Sequence, residues 1–109
     1  MIRFNSLRAR DFLLRNGYVY TLRYWQREDS FETTAVGGGE PIGRVRVTYV
    51  TEVPLTNMDR TREVLGRYVN ESGFGSVEEW VGEFRRLNRG RRVRTAHLYR
   101  VVLIKAMRR

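Results

Sequence analysis

The sequence of 109 residues contains no cysteine, one histidine, one lysine and two prolines. Without cysteine the chain has no disulfide bond, no thiolate ligand for zinc and no thiol nucleophile. His97 is the only histidine, which excludes a Ser/His/Asp triad or a histidine-rich metal site unless carboxylates supply most of the groups. It begins an apolar segment, where a structural role is commoner than a catalytic one. We therefore expect no metal and no organic cofactor.

Long apolar runs are also missing from the chain. No stretch approaches the roughly 20 apolar residues that a membrane-spanning helix needs. The opening segment, MIRFNSLRAR, carries charges where a signal peptide is apolar. These features predict a cytoplasmic protein with no membrane partner. The length favours a single domain over residues 1–109, because a chain of this size buries a core of its own.

What the chain has in abundance is arginine. There are 21 Lys+Arg against 12 Asp+Glu, a formal net charge of +9, and Lys105 is the only lysine among them. Arginine binds phosphate through a planar fork and stacks on bases, so this composition favours a nucleic acid partner. The alternative is a solvated surface whose charge reflects genome composition or adaptation to heat.

Periodicity predicts alternating strands and helices in the first half of the chain. Residues 2–4 form a short strand, and Ser6 caps a helix that ends before Gly17. The side chains of this helix that can face the core are Leu7, Phe12, Leu13 and Leu14. Residues 16–25, NGYVYTLRYW, alternate as a second strand.

The next segment, QREDSFETTAVGGGEPIG, covers residues 26–43 and has three consecutive glycines and a proline. This composition predicts a long loop, and residues 26–39 have the length of a lid over a ligand. Its GGGE lacks the Lys-Ser/Thr pair and the following helix of a phosphate-binding loop, so the glycines indicate flexibility instead.

The second half of the chain predicts a strand, two helices and a last strand. GRVRVTYVTEV, residues 43–53, alternates valine with outward arginine. Thr56 or Asn57 caps a helix to about Val69, and Ser76 with Glu79 has the spacing of a capping box. TAHLYRVVLIKAM is the last strand, with residues 101–104 buried on both faces. This order predicts an α+β fold, a small closed or half-closed β-barrel with appended helices.

Several segments resemble the ASCH domain family, relatives of the PUA fold. NGYVYTLR is similar to the segment that marks these domains, ESGFGSVEEWVGEFRRLN to their Glu-Gly-Phe segment and helix, and AHLYRVVL to their closing Tyr-Val strand. With IGRVRV as the middle strand, the resemblance extends over nearly the whole chain. It implies a PUA-like β-barrel that binds RNA.

Members of the family that hydrolyse acetylcytidine use a lysine, a threonine and a glutamate. The resemblance implies Thr21 and Glu71 as the catalytic residues, or Ser72 at the glutamate position if the alignment shifts by one residue. The lysine position holds Tyr18 and the glycine position Asn16. A phenol with a pKa of about 10 cannot replace, as a general base, an amine whose pKa lies near neutrality. General acid–base catalysis typically accelerates a reaction by about 10²–10⁴-fold. RNA binding is therefore the first expectation, and hydrolysis of a modified nucleoside or of RNA is the alternative.

From the same resemblance we expect the second strand to form the wall of a cleft. The face formed by Val19, Thr21, Arg23 and Trp25 then lines a site for a nucleoside-like ligand, in which Arg23 donates and Glu71 accepts. A plain salt bridge between Arg23 and Glu71 is the competing interpretation. The expected ligand-binding residues are Tyr18, Thr21, Arg23, Trp25, Glu71 and Ser72. The expected phosphate contacts are Arg44, Arg46, Arg91, Arg92 and Arg94, with stacking from Tyr18, Tyr24 or Trp25.

Overall fold

The computed structural model describes residues 1–107, which form a curled five-stranded sheet with three α-helices. The elements are β1 (Ile2–Arg3), α1 (Leu7–Asn16), β2 (Tyr18–Arg23), β3 (Phe31–Gly37), β4 (Glu40–Pro54), α2 (Met58–Leu65), a 3-10 turn (Val69–Glu71), α3 (Val77–Leu87) and β5 (Thr95–Ala106). The strand order is β1-β3-β4-β5-β2; β1 runs parallel to β3 and the other pairs are antiparallel. The predicted α+β class and the half-barrel are confirmed.

Residues 26–43 do not form the predicted long loop. Most of them belong to a β-hairpin in which β3 pairs with β4 on either side of Gly38 and Gly39. These glycines have φ angles of 61° and 81°, the two left-handed positions that a type I′ turn requires. Only residues 24–30 connect β2 to β3, and half of the 26–39 segment, which had the length of a lid, is strand β3 of the sheet.

The helices begin and end where local capping chemistry predicts. The Ser6 hydroxyl accepts a hydrogen bond from the Ala9 amide at the start of α1, and Gly17, with φ 81°, closes its end. The prediction that Leu7 and Leu14 face the core is wrong, since they are 62% and 48% exposed. The buried side chains of α1 are Ala9 and Leu13, which lie one turn apart on the same side of the helix. Leu7 and Leu14 do not lie on that side.

The two later helices are set by Asn57 and Ser76. The Asn57 side chain caps α2, which ends at Leu65, and a 3-10 turn replaces the predicted continuation to Val69. Ser76 accepts from the Glu79 amide at 3.1 Å at the start of α3. Within residues 1–107, every helix is too short or too polar to cross a membrane.

Both faces of the sheet carry a hydrophobic cluster. One face packs against α1 and includes Val19, Val45, Val47, Tyr99 and Val101. The opposite face packs against α2 and α3 and includes Leu22, Val53, Trp80, Phe84 and Leu98. The doubly buried part of β5 is therefore residues 96–99. The predicted double burial of residues 101–104 is wrong, since Ile104 is 50% exposed where the strand extends past the helices.

Candidate functional site

A pocket of about 430 Å³ opens where the two edge strands, β1 and β2, approach each other. Its walls are the segment that contains β1 and leads into α1, the end of β2, and α3 with the turn that follows it. We call it the seam pocket. Its charged and polar lining residues are Arg3, Asn5, Ser6, Thr21, Arg23, Glu83, Asn88 and Arg91, and its aromatic ones are Phe4, Tyr24, Trp25, Phe74, Trp80 and Phe84. The volume falls in the range of small-molecule sites.

Arg23, the last residue of β2, joins the two edges of the sheet. Its Nη1 donates to the Arg3 carbonyl oxygen at 2.5 Å, and its Cζ lies 4.9 Å from the centre of the Phe4 ring. Its Nε is buried and has no hydrogen-bond partner within residues 1–107. Burial lowers the pKa of Arg23 to about 10, which leaves the guanidinium protonated at neutral pH.

No carboxylate of the described residues forms an ion pair with this guanidinium. Glu83 is the one acidic residue in the described lining of the pocket, and its Oε1 already accepts from Arg86 Nε at 2.5 Å. A buried charge without a partner is costly, so most buried charges are paired. The seam pocket therefore offers a cation that an anionic ligand would neutralise.

The mouth of the pocket combines a second cation with an aromatic ring. The Arg91 guanidinium lies 3.8 Å from the centre of the Tyr24 ring, and Tyr24 is 44% exposed. This arrangement places a cation against one face of a partly exposed aromatic ring.

Trp25 is held in place from behind by Tyr99. Their ring centres are 4.5 Å apart, and the Tyr99 hydroxyl donates to the Trp25 carbonyl at 3.0 Å while it accepts from the Arg27 amide at 2.7 Å. Thr21 also lies in the pocket wall and is 7% exposed. The expected cleft face of β2 is thus divided: Val19 belongs to the core, and Thr21, Arg23 and Trp25 line the pocket.

Glu71 lies on the other face of the sheet and does not line the seam pocket. Its Oε2 accepts from the Tyr18 hydroxyl at 2.5 Å, and Tyr18 points away from Thr21 because side chains alternate along β2. This hydrogen bond, with smaller contributions from desolvation and the charge of Glu71, raises the pKa of Tyr18. The expected pairing of Arg23 with Glu71 is not found among the described residues, either across a cleft or as a salt bridge.

Ser72, the alternative to Glu71, is fully buried and structural. Its hydroxyl donates to the Val69 carbonyl at 2.6 Å and accepts from the Phe74 amide at 3.1 Å. Its hydrogen bonds thereby shape the turn between the 3-10 segment and α3. This geometry leaves Thr21 without Glu71 or Ser72 as an acid or base within the pocket.

The five arginines expected to contact phosphate fall into two groups. Arg91, Arg92 and Arg94 lie in the turn after α3, beside the seam pocket, and all three are exposed. Arg44 and Arg46 lie on β4 and point away from the α1 side of the sheet; Arg46 donates to Glu32 at 2.6 Å. The sequence reasoning missed Arg100, which alternation along β5 places on that same face, and it missed Arg3, whose contact with Arg23 depends on how the sheet curls.

The remaining chemistry-bearing groups offer no metal site. Within residues 1–107 no three histidine, aspartate or glutamate side chains cluster as metal ligands do. His97 is buried, and its Nδ1 lies 3.1 Å from the Tyr49 hydroxyl.

Comparisons with protein-family models, curated proteins and solved structures find no match to this chain.

Proposed function

We propose that this protein binds RNA and that the seam pocket receives an unpaired nucleotide. The observation that carries the proposal is the half-buried Arg23 guanidinium, which lines the pocket and has no carboxylate partner within residues 1–107. A phosphate oxygen is the natural acceptor for such a group, since arginine and phosphate form short, charge-assisted hydrogen bonds. Arg91 supplies a second cation, and Tyr24 offers a ring for stacking.

A polymeric ligand explains more of the molecule than a free small anion does. The turn after α3 carries Arg89, Arg91, Arg92 and Arg94 on its exposed surface, next to the pocket. Such a basic segment follows a phosphate backbone, whereas a single anion needs only the cations inside the pocket. The net charge of +9 and the resemblance to ASCH domains, which implies a PUA-like barrel, support the same choice.

The test is RNA binding by the intact protein, measured by filter binding or fluorescence anisotropy at several salt concentrations. We expect binding to single-stranded RNA and to structured RNA with unpaired nucleotides. The logarithm of the affinity should fall linearly with the logarithm of the salt concentration. The control variant is Arg60→Gln, because Arg60 is an exposed arginine of α2 that lies outside the pocket. Absence of salt-dependent binding by the wild-type protein would overturn the proposal.

Hydrolysis of a modified nucleoside is the second candidate function, because Thr21 lacks the acid–base partner that the reaction needs. Glu71 contacts Tyr18 on the opposite face, and Glu83 pairs with Arg86. Incubation with acetylcytidine, compared between the wild type and Thr21→Ala, distinguishes the two functions. Turnover above background that Thr21→Ala abolishes would restore the enzyme hypothesis.

A further inference from the structure

The sheet has a second exposed region on the side opposite α1. Register places side chains there in rows across β4, β5 and β2: Arg46, Val102 and Tyr18 in one row, and Thr48, Arg100 and Tyr20 in the next. Helices α2 and α3 cover the neighbouring part of this face, around Leu22 and Leu98; Tyr20 packs partly against that cluster, whereas Arg46, Thr48 and Arg100 are exposed. We call the region the open sheet face, made of Tyr18, Tyr20, Arg44, Arg46, Thr48, Arg100 and Val102.

The open sheet face carries two arginines that form no ion pair with any of the residues that the structure describes. Arg44, Arg46 and Arg100 are all exposed, and Arg46 alone among them forms an ion pair within the described residues, with Glu32. Glu71 at the border is held by the Tyr18 hydroxyl. Two cations, Arg44 and Arg100, are therefore free to contact an anionic partner.

Aromatic rings lie between these cations and the helices. Tyr18 and Tyr20 have ring centres 6.4 Å apart at 89°, and Tyr20 continues to Tyr68 at 4.8 Å and 37°. The Arg100 guanidinium carbon lies 5.4 Å from the centre of the Tyr18 ring. Tyr18 and Tyr20 are both half-buried, so part of each side chain faces solvent. Cations beside partly exposed aromatic rings are the combination that proteins use for single-stranded nucleic acids.

We infer that the open sheet face is a second RNA-binding surface, which takes a single strand with its phosphates on Arg44 and Arg100 and a base on Tyr20. The rows span three strands, a width of about 10 Å at the usual strand spacing, so the surface suits a short stretch of strand. The inference rests on the proposed function but uses a surface on the other side of β2 from the seam pocket.

The test compares matched double variants by fluorescence anisotropy with a labelled, unstructured RNA oligonucleotide. Arg44→Gln/Arg100→Gln removes two cations from the face, and Arg15→Gln/Arg60→Gln removes two exposed cations of α1 and α2. We expect the first pair to weaken binding about tenfold and to reduce the slope of log affinity against log salt by about 1.4, because each phosphate contact on a single strand contributes about 0.7. The control pair leaves the slope within about 0.3 of the wild type.

A second comparison isolates stacking from charge. Tyr20→Phe keeps the ring and retains affinity, whereas Tyr20→Leu keeps an apolar side chain of similar burial and weakens binding at every salt concentration with an unchanged slope. If Arg44→Gln/Arg100→Gln and Tyr20→Leu both bind RNA as tightly as the wild type, the second surface is overturned and the seam-pocket proposal is unaffected. A wild-type protein that is dimeric in solution, with face variants that are monomeric and bind RNA unchanged, would likewise overturn it in favour of contact between two copies. Absence of RNA binding by the wild type would overturn both proposals together.

Discussion

The seam pocket and the open sheet face present arginine in opposite ways. In the pocket, the Arg23 guanidinium is partly buried, its Nε has no hydrogen-bond partner among the described residues, and burial lowers its pKa. On the open face, Arg44, Arg46 and Arg100 stand in solvent, and Arg46 is already paired with Glu32. Both regions include β2, which contributes Thr21, Leu22 and Arg23 to the pocket and Tyr18 and Tyr20 to the open sheet face.

This difference determines how each region would contribute to binding. Charges in solvent at physiological salt are screened over about 8 Å and interact weakly, whereas a desolvated charge interacts strongly over the same distance. The pocket should therefore supply most of the binding free energy and the selection of one nucleotide. The open face should supply weaker, salt-sensitive contacts that extend along a strand.

The largest expected effect is that of Arg23→Met. Removal of this partly buried cation should weaken the free energy of RNA binding by about 2–5 kcal/mol, the usual loss when a buried, hydrogen-bonded charge pair is truncated. Thermal unfolding should show an unchanged or raised Tm, because a buried charge without a partner costs stability in the free protein. Arg60→Met serves as the control. A fall in Tm with unchanged RNA affinity would mean that Arg23 only closes the seam between β1 and β2.

The next effect is the coupling between sites in a double-mutant cycle. Arg23 and Arg91 line the same pocket, so Arg23→Met and Arg91→Gln should interact by about 0.5–3 kcal/mol in RNA binding. Arg23 and Arg100 lie on opposite faces of the sheet, so Arg23→Met and Arg100→Gln should add to within about 0.5 kcal/mol. The affinities of the wild type, the two single variants and the double variant of each cycle give the coupling directly. Equal coupling in the two cycles would show that the two surfaces are one site.

The sequence predicts those features of the fold that depend on neighbouring residues. Ser6, Asn57 and Ser76 cap helices through hydrogen bonds to amides two or three residues away, and alternation places Thr21 and Arg23 on one face of β2. Strand β3 was missed because its alternating residues run directly into the glycines that form its turn. Two adjacent glycines in a long polar segment indicate a loop as readily as a type I′ hairpin.

The site itself depends on contacts between distant parts of the chain. The Arg3 carbonyl accepts from Arg23 only because the sheet curls until its two edge strands, β1 and β2, approach each other, although three strands lie between them in the sheet. Glu71 contacts Tyr18 because the 3-10 turn packs beside α2 on the face opposite α1. No local pattern specifies which face of a sheet a later helix covers, so the partner of Glu71 was not predictable from spacing.

A substitution outside both regions provides the neutral reference. Gly39 has a φ of 81° in the β3–β4 turn, and no atom lies within 4 Å of a Cβ added there. Gly39→Ala should therefore destabilise the fold by about 1–2 kcal/mol through backbone strain alone, which lowers Tm by about 4–10 °C for a domain of this size. RNA affinity below the new Tm should not change. Weaker binding by Gly39→Ala would mean that the hairpin contributes to the interface after all.

The smallest expected effect is the pH dependence contributed by Tyr18. Because the hydrogen bond to Glu71 raises the pKa of Tyr18 above its ordinary value near 10, the folded protein holds this proton more tightly than the unfolded chain does. The associated stability is fully present below pH 10 and is lost as pH rises from there through the folded-state pKa. Urea unfolding between pH 8 and about pH 11 should therefore show a shallower decline for Tyr18→Phe than for the wild type. Tyr20→Phe is the control, since Glu71 does not bond to Tyr20, and a decline identical in Tyr18→Phe and wild type would remove the Tyr18–Glu71 hydrogen bond from the border of the open sheet face.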